Sequence, residues 1–140
     1  MYRNIRLGDF PHLIISHTHS VNNIVGIIWS KSYIMFDDGI KGFMLLKNRK
    51  MSLQNHFNND DVLHFLNIYQ RTEFKTYEIA SLYQKEDDEV IYNIFDMVSN
   101  CLNNGDYLWG KASNALEHYL YKKLGFIKLN TNIYAYQYTQ

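Results

Sequence analysis

The stretch that is most informative about the fold is residues 114–126, NALEHYLYKKLGF. Leucines recur through this stretch at four-residue steps, a spacing that lines one face of a helix. They are Leu116, Leu120 and Leu124. Asn114 is a favourable N-cap residue, and Glu117 at the third helical position can reach back in a variant of the capping box. Gly125 ends the run, so the stretch predicts a capped amphipathic helix.

A second helix is predicted upstream of this one. The four acidic residues 86–89 suit the positive end of a helix dipole. The apolar stripe that follows comprises Val90, Ile91, Ile94, Phe95, Val98 and Leu102. Asn104-Gly105 supplies a left-handed stop. Residues 74–83 before this helix and 107–109 after it are predicted strands.

Two hairpins are predicted, one on each side of the helical region. The apolar runs 33–36 and 40–46 surround Asp37-Asp38-Gly39, where glycine supplies the positive φ that a tight turn requires. Residues 126–129 and 133–138 form the second pair, turning at Asn130-Thr131-Asn132. Nearer the N-terminus, residues 2–7 predict a strand and residues 13–29 have a helical period. Residues 60–69 fit either a short capped helix or a strand.

Composition limits the classes of function. The chain has 140 residues, and its 46% hydrophobic content predicts one globular α/β domain over 1–140. Fourteen basic and fourteen acidic residues cancel, so no nucleic-acid partner is predicted. No apolar run is long enough to span a bilayer, which predicts a soluble, cytoplasmic protein with no membrane partner. Cys101 is the single cysteine, so an intramolecular disulfide is excluded. We interpret it as a small buried residue.

From Tyr77 onward the layout resembles the GNAT superfamily of acyl-CoA-dependent N-acyltransferases. The most specific feature is Asn114, a helix, and the exit Tyr121-Lys122-Lys123-Leu124-Gly125-Phe126, a Tyr-x-x-Leu-Gly-Phe pattern. Residues 77–83 look like the fourth strand of that family, and the hairpin over 33–46 is similar to its second and third strands. The resemblance implies a mixed, splayed central sheet flanked by helices, open between strands 74–83 and 107–109.

The resemblance also implies roles for five residues. Tyr121 would protonate the departing CoA thiolate, and Glu78 would deprotonate the amine directly or through a water. Backbone around Leu82 and Tyr83 would pair with the pantetheine arm. Asn114 would orient either that arm or the helix that carries Tyr121. Each assignment has a plainer alternative, in which Tyr121 is a packing aromatic, Glu78 a solvent-facing strand residue and Asn114 a helix cap alone.

Helical spacing predicts where Tyr121 points. Leu120 and Leu124 face the core, and Tyr121 is rotated from Leu120 by about 100° toward the edge of that face. We therefore expect its hydroxyl at the mouth of the splay, within reach of solvent or ligand.

One segment departs from the family pattern. The family holds the CoA pyrophosphate with a Gln/Arg-x-x-Gly-x-Gly/Ala loop, whose exposed N–H groups lie at a helix N-terminus. This sequence has Glu89, Tyr92 and Ile94 where the arginine and the two glycines are expected, and the acidic run 86–89 stands where the anion would bind.

Two hypotheses follow. In the first, the chain is an N-acyltransferase that moves an acyl group from acetyl-CoA or another acyl-CoA to an amine on a small molecule or protein. In the second, it is a catalytically inactive GNAT-fold binding protein that recognises a partner protein, for example a toxin-neutralising immunity protein or a phage or regulatory inhibitor.

No metal site is predicted. His17 and His19 form an HxH pair, but on a helix two rings at that spacing diverge. His64 and His118 are isolated in the sequence and are interpreted as packed or surface histidines.

Overall fold

The computed structural model describes residues 1–16, 26–48, 75–129 and 132–140, so the predictions for 60–69 and for the HxH pair lie outside it. Its strands are β1 (Tyr2–Asn4), β2 (Tyr33–Phe36), β3 (Ile40–Lys47), β4 (Thr76–Gln84), β5 (Tyr107–Lys111), β6 (Ile127–Lys128) and β7 (Ile133–Gln137). Its helices are α1 (Phe10–Ser16), α2 (Asp88–Ser99) and α3 (Ala115–Lys123). Among these, none is long and apolar enough to cross a bilayer.

All seven strands form one sheet in the order β1-β2-β3-β4-β5-β7-β6. Every neighbouring pair is antiparallel except β4 and β5, which run parallel. Helix α2 connects those two strands, as a parallel crossover requires. The predicted α/β class with a mixed central sheet is confirmed.

The two faces of the sheet bury separate apolar clusters. The main core takes side chains from α2, α3 and one face of the strands; they include Leu46, Ile79, Leu82, Ile94, Phe95, Leu120, Tyr121 and Phe126. The second core lies on the opposite face with α1 and comprises Ile5, Phe10, Leu13, Ile34, Phe43 and Leu45. The sheet is therefore covered on both sides near its centre.

The β2–β3 hairpin forms where it is predicted. Asp38 has φ +52° and Gly39 has φ +117°, so both turn residues adopt the left-handed region. The register places Ile34 opposite Phe43. This prediction rests on local turn chemistry, and the structure confirms it.

The helix predicted over residues 13–29 is wrong at its C-terminal end. Gly26 has φ +84°, and Ile27 forms an antiparallel bridge with Lys47 at the end of β3. The observed helix α1 begins earlier, at Phe10, with Pro11 in its first turn, where the missing N–H costs nothing. Ile27 pairs with β3 and does not continue the predicted helix, because β3 offers backbone hydrogen-bond partners that a helix end lacks.

Helix α2 also ends earlier than predicted. Its last residue is Ser99, and Asn100 caps it in an ordinary right-handed conformation. Gly105 does have a positive φ, at +95°, but it follows a further turn and leads into β5. The left-handed residue therefore belongs to the entrance of the strand and not to the helix stop.

Helix α3 is capped largely as predicted. The side-chain oxygen of Asn114 accepts a hydrogen bond of 2.9 Å from the N–H of Glu117. The Glu117 carboxylate reaches back one residue further than expected and accepts from the N–H of Ser113 at 2.7 Å. Gly125 follows the helix with φ +82°.

Candidate functional site

Strands β4 and β5 separate partway along the sheet. They pair from Thr76 opposite Tyr107 to Ile79 opposite Gly110. In the described part of the chain their pairing stops there, while β4 continues to Gln84. The splay predicted between these two strands is confirmed.

A bulge in β4 coincides with the point of separation. Leu46 of β3 lies opposite Ile79, yet its neighbour Leu45 lies opposite Ser81, so Ala80 is an extra residue in β4. A bulge bends its strand and increases the local twist. The bulge directly follows the last β4–β5 pair, and β5 itself ends one residue beyond that pair, at Lys111.

Tyr121 of α3 lies at this point of separation. A Cβ atom on Gly110 would overlap the Tyr121 hydroxyl, and would also lie 2.7 Å from the ring carbon that carries it and 3.2 Å from the carbonyl oxygen of Ile79. The phenol therefore occupies the space that a side chain on β5 would fill. The predicted position at the splay is confirmed.

The predicted exposure of this hydroxyl is wrong. Tyr121 is fully buried, and its hydroxyl has no hydrogen-bond partner among the described residues. The ring stacks on Tyr134 of β7 with centroids 5.0 Å apart and packs against Phe126 at 5.2 Å. Helical spacing gave the direction of the side chain, but the C-terminal hairpin, which spacing does not describe, covers it.

Burial also changes the acidity of this phenol. Loss of solvent raises the pKa of Tyr121 well above its ordinary value, and the negative charges of Glu117 and Glu78 raise it further. Tyr121 is therefore a neutral hydrogen-bond donor at physiological pH.

We expect the free energy of unfolding to fall above about pH 10, partly through Tyr121. The unfolded phenol ionises near its ordinary pKa, whereas the folded one keeps its proton, so this contribution is full below the unfolded pKa and is lost as pH rises toward the folded pKa. Urea unfolding at about pH 8 and about pH 11 should show a smaller loss for Tyr121→Phe than for the unchanged protein. The same loss in both proteins would contradict this assignment.

Glu78 approaches the point of separation from the opposite face of the sheet. Its two neighbours on β4 face the main core, so strand alternation directs Glu78 to the other side. The register sets Lys47 of β3 and Trp109 of β5 beside it on that face. Because its carboxylate raises the pKa of Tyr121, the two groups are in electrostatic reach of each other.

Two buried polar atoms of β4 have no hydrogen-bond partner among the described residues, and they lie on opposite faces of the sheet. Ser81 Oγ lies on the face of the second core, opposite Leu45, whereas Gln84 Oε1 lies on the α2 side, where the amide nitrogen of Gln84 donates to Asp88. Between them, Leu82 pairs with Met44 of β3, and in the described residues the pairing of β4 with β5 does not extend to it. An unsatisfied buried polar group costs about 1–3 kcal/mol, so a polar ligand in the cleft between β4 and β5 that hydrogen-bonded to the Tyr121 hydroxyl would recover that cost.

The connection from β4 to α2 is short. Strand β4 ends at Gln84 and α2 begins at Asp88, so Glu89, Tyr92 and Ile94 lie inside the helix. Residues 84–89, which span this connection and the start of α2, contain no glycine. The placement of the family's pyrophosphate loop on particular residues of this segment stays a prediction.

Acidic side chains of residues 87 and 88 form hydrogen bonds at the N-terminus of α2. The Asp87 carboxylate caps the helix by accepting from the N–H of Glu89 at 2.9 Å. Asp88 accepts from the amide of Gln84 and from the hydroxyl of Tyr119, and these hydrogen bonds lower the pKa of Asp88. Lys123 lies 3.8 Å from the same carboxylate.

Two further lysines are near these carboxylates. Lys41 and Lys85 line an open pocket of about 230 Å³ together with Glu86, Asp87 and Val90. With Lys123 they bring three positive charges to the four carboxylates of residues 86–89, so the surroundings stay negative by one formal charge.

Other candidates from the sequence are placed as follows. Asn114 is exposed and caps α3, which confirms its plainer alternative. Its role in orienting a pantetheine arm stays a prediction.

Cys101 is half-buried and lies 3.3 Å from the Tyr33 hydroxyl, so the interpretation of a fully buried residue is wrong. His118 bonds through Nδ1 to the Tyr134 hydroxyl at 2.8 Å. Within the described ranges, no three His, Cys, Asp or Glu side chains are placed to hold a metal ion.

Solved structures of N-acetyltransferases have a similar fold. The ribosomal-protein-S18-alanine N-acetyltransferase of Escherichia coli is similar at a TM-score of 0.54 and 13% identity, over 100% of this chain and 94% of that one. NAA60 of Arabidopsis thaliana, solved with a bisubstrate analogue, is similar at 0.55 and 16%, over 98% and 97%. The chain has the GNAT fold.

A third GNAT-fold neighbour is yncA of Salmonella typhimurium, a putative acetyltransferase solved with its cofactor acetyl-CoA. It is similar at a TM-score of 0.51 and 12% identity, over 100% of this chain and 94% of that chain. No protein-family model and no curated protein sequence matches the chain. The GNAT assignment therefore concerns the fold, and the activity has to be argued from the site.

Proposed function

We propose that this GNAT-fold chain is an N-acyltransferase that moves an acyl group from a pantetheine thioester to an amine. The observation that carries the proposal is the buried, unpartnered Tyr121 hydroxyl at the splay. Phenylalanine would pack in the same place without leaving a polar group unsatisfied, which costs about 1–3 kcal/mol. A role for the Tyr121 hydroxyl in the reaction would explain why tyrosine is present here and not phenylalanine.

The splay provides a binding edge for the donor. Beyond Ile79, in the described residues, β4 continues to Gln84 without pairing with β5, and backbone around Leu82 lies along this edge. The amide groups of a pantetheine arm match such an edge in the way that an extended peptide adds a strand to a sheet. The thioester end of the arm would then lie toward Tyr121.

Glu78 and Tyr121 would act on opposite faces of the reacting group. A bound acyl thioester supplies an activated carbonyl, at which a C–N bond forms as the C–S bond breaks. Glu78 takes the proton of the attacking amine, directly or through a water, and returns it to solvent. Because the pKa of Tyr121 is raised well above that of a thiol, ordinarily about 8.5, Tyr121 stabilises the leaving thiolate as a hydrogen-bond donor, and solvent protonates the thiolate after release.

The α2 N-terminus favours a second candidate function. The Asp87 carboxylate occupies the N–H of Glu89, a donor that could otherwise bind an anion, as expected of a GNAT-fold binding protein that has lost acyl transfer. Such a protein would present residues 86–89 to a basic partner protein. The next experiment separates the two candidates.

We expect S-acetyl-pantetheine to stabilise the protein against heat. A ligand at 100 times its dissociation constant adds about 2.7 kcal/mol to the free energy of unfolding. With a lysine-containing peptide as acceptor, Glu78→Gln should slow thiol release by about 10²-fold while the thermal shift persists. Glu86→Gln, an exposed carboxylate outside the splay, is the matched control and should keep both. No shift with millimolar donor would contradict acyl transfer and favour the binding protein.

A further inference from the structure

Resting on the proposed function, we infer that the chain recognises its acyl donor through the S-acyl-pantetheine arm alone. A nucleotide diphosphate at the end of that arm, as in CoA, adds no affinity. The two halves of CoA meet different surroundings in this chain, and only one half fits.

The end of the splay nearest Ile79 offers hydrogen-bonding groups to the arm. The Tyr121 hydroxyl is buried and unbonded among the described residues, and the β4 edge beyond Ile79 has no β5 strand. Amide and thioester groups supply both donors and acceptors to such atoms. The pantetheine arm therefore fits the residues present.

The outer half of the cleft, at the N-terminus of α2, offers an anion few hydrogen-bond donors. The N–H of Glu89 is bonded to the Asp87 carboxylate, and the N–H of Val90 donates to the Asp87 carbonyl oxygen at 3.0 Å. A pyrophosphate at this helix end would have to displace a charged cap and would remain beside the carboxylate it displaced. Like charges a few ångströms apart repel even at the protein surface. The nearby Lys41 and Lys85 do not reverse this, because Glu86 and Asp87 line the same pocket and balance their charges.

A single carboxylate also ties together the elements beyond the splay. Asp88 of α2 accepts from Gln84 of β4 and from Tyr119 of α3, the latter at 2.8 Å, and Lys123 of α3 lies beside it. These contacts join β4, α2 and α3 at the end of the cleft where a diphosphate would lie in a CoA-binding arrangement. Binding a diphosphate at α2 would compete with them, whereas binding the arm alone would not.

Calorimetric titration with acetyl-CoA, S-acetyl-pantetheine and adenosine 3′,5′-bisphosphate tests this inference. We expect the first two dissociation constants to agree within about threefold, a difference well below one decade of affinity. We expect no binding of the bisphosphate at millimolar concentration. If acetyl-CoA bound at least about tenfold more tightly than S-acetyl-pantetheine, a full decade of affinity, the inference would be overturned and the proposed function would stand. Binding of neither thioester would overturn both.

Two variants of Asp87 separate charge from hydrogen bonding. Asp87→Gly removes the carboxylate and frees the Glu89 N–H, whereas Asp87→Ser removes the charge and keeps a cap on it. Acetyl-CoA should bind about tenfold more tightly to the glycine variant and less than that to the serine variant. The affinity for S-acetyl-pantetheine should not change in either. An equal gain for both thioesters would overturn the inference, because the nucleotide would not be its source.

Discussion

Tyr121→Phe should give a protein that is at least as stable as the unchanged chain and has lost most of its acyl transfer. The variant removes a buried hydroxyl that has no partner among the described residues, so it recovers up to about 1–3 kcal/mol of desolvation cost. The phenyl ring keeps its stacking on Tyr134. Loss of the donor at the leaving group should lower kcat by about 10²-fold or more. Urea unfolding and steady-state kinetics measure the two effects.

Tyr134→Phe is the matched control for this experiment. Its hydroxyl is bonded to Nδ1 of His118 at 2.8 Å, and its ring stacks on Tyr121. The same chemical change should therefore destabilise the protein, by about 1 kcal/mol, and leave transfer largely intact. If Tyr121→Phe were as active as the unchanged chain, Tyr121 would be a packing residue and the proposed function would lose its main support.

Gly110→Ala should destabilise the protein by about 2–4 kcal/mol, toward the upper end of overpacking effects. The new methyl would overlap the Tyr121 hydroxyl and lie 2.7 Å from the adjacent ring carbon. It would also lie 3.2 Å from the carbonyl oxygen of Ile79, a backbone atom fixed by the sheet. Either the phenol moves or β4 and β5 spread, and both disturb the main core. Urea unfolding measures the loss.

The double variant Gly110→Ala/Tyr121→Phe tests whether the two residues share one space. Removing the hydroxyl relieves the shortest overlap but not the contact with the ring carbon, so we expect recovery of about 1 kcal/mol or more relative to additivity. Gly8→Ala is the control, because a Cβ there meets no atom within 4 Å, and it should change stability by less than about 0.5 kcal/mol. Strict additivity of the two substitutions would contradict the observed packing.

Several elements could be predicted from the sequence because their causes lie within a few residues. The hairpin at Asp38-Gly39 follows from the positive φ its turn requires, and α3 follows from a capping asparagine, a leucine stripe and a glycine stop. The acidic start of α2 is equally local, since Asp87 bonds the residue two positions later. Such interactions form between neighbours along the chain, so the order of residues is enough to specify them.

Segment 26–28 shows where local patterns fail. Its apolar residues fit a helical period, yet Ile27 bridges to Lys47 and the N–H of Ile28 donates to Leu46. The partner lies about twenty residues away, and no spacing within the segment records it.

The α/β class and the resemblance to a family of folds could be predicted from the sequence, which also led to the candidate pair Glu78 and Tyr121. The burial of Tyr121 beneath Phe126 and Tyr134, and the space that Gly110 leaves for its hydroxyl, follow from how the elements pack. Gly110 carries no local signal at all, because its backbone needs no special φ and its lack of a side chain matters only against another element. Interactions between residues that are close in sequence depend on the local order of residues, so they can be predicted from the sequence. Contacts between β5, α3 and β7 exist only once those elements have packed together, so the environment of the site is a property of the fold.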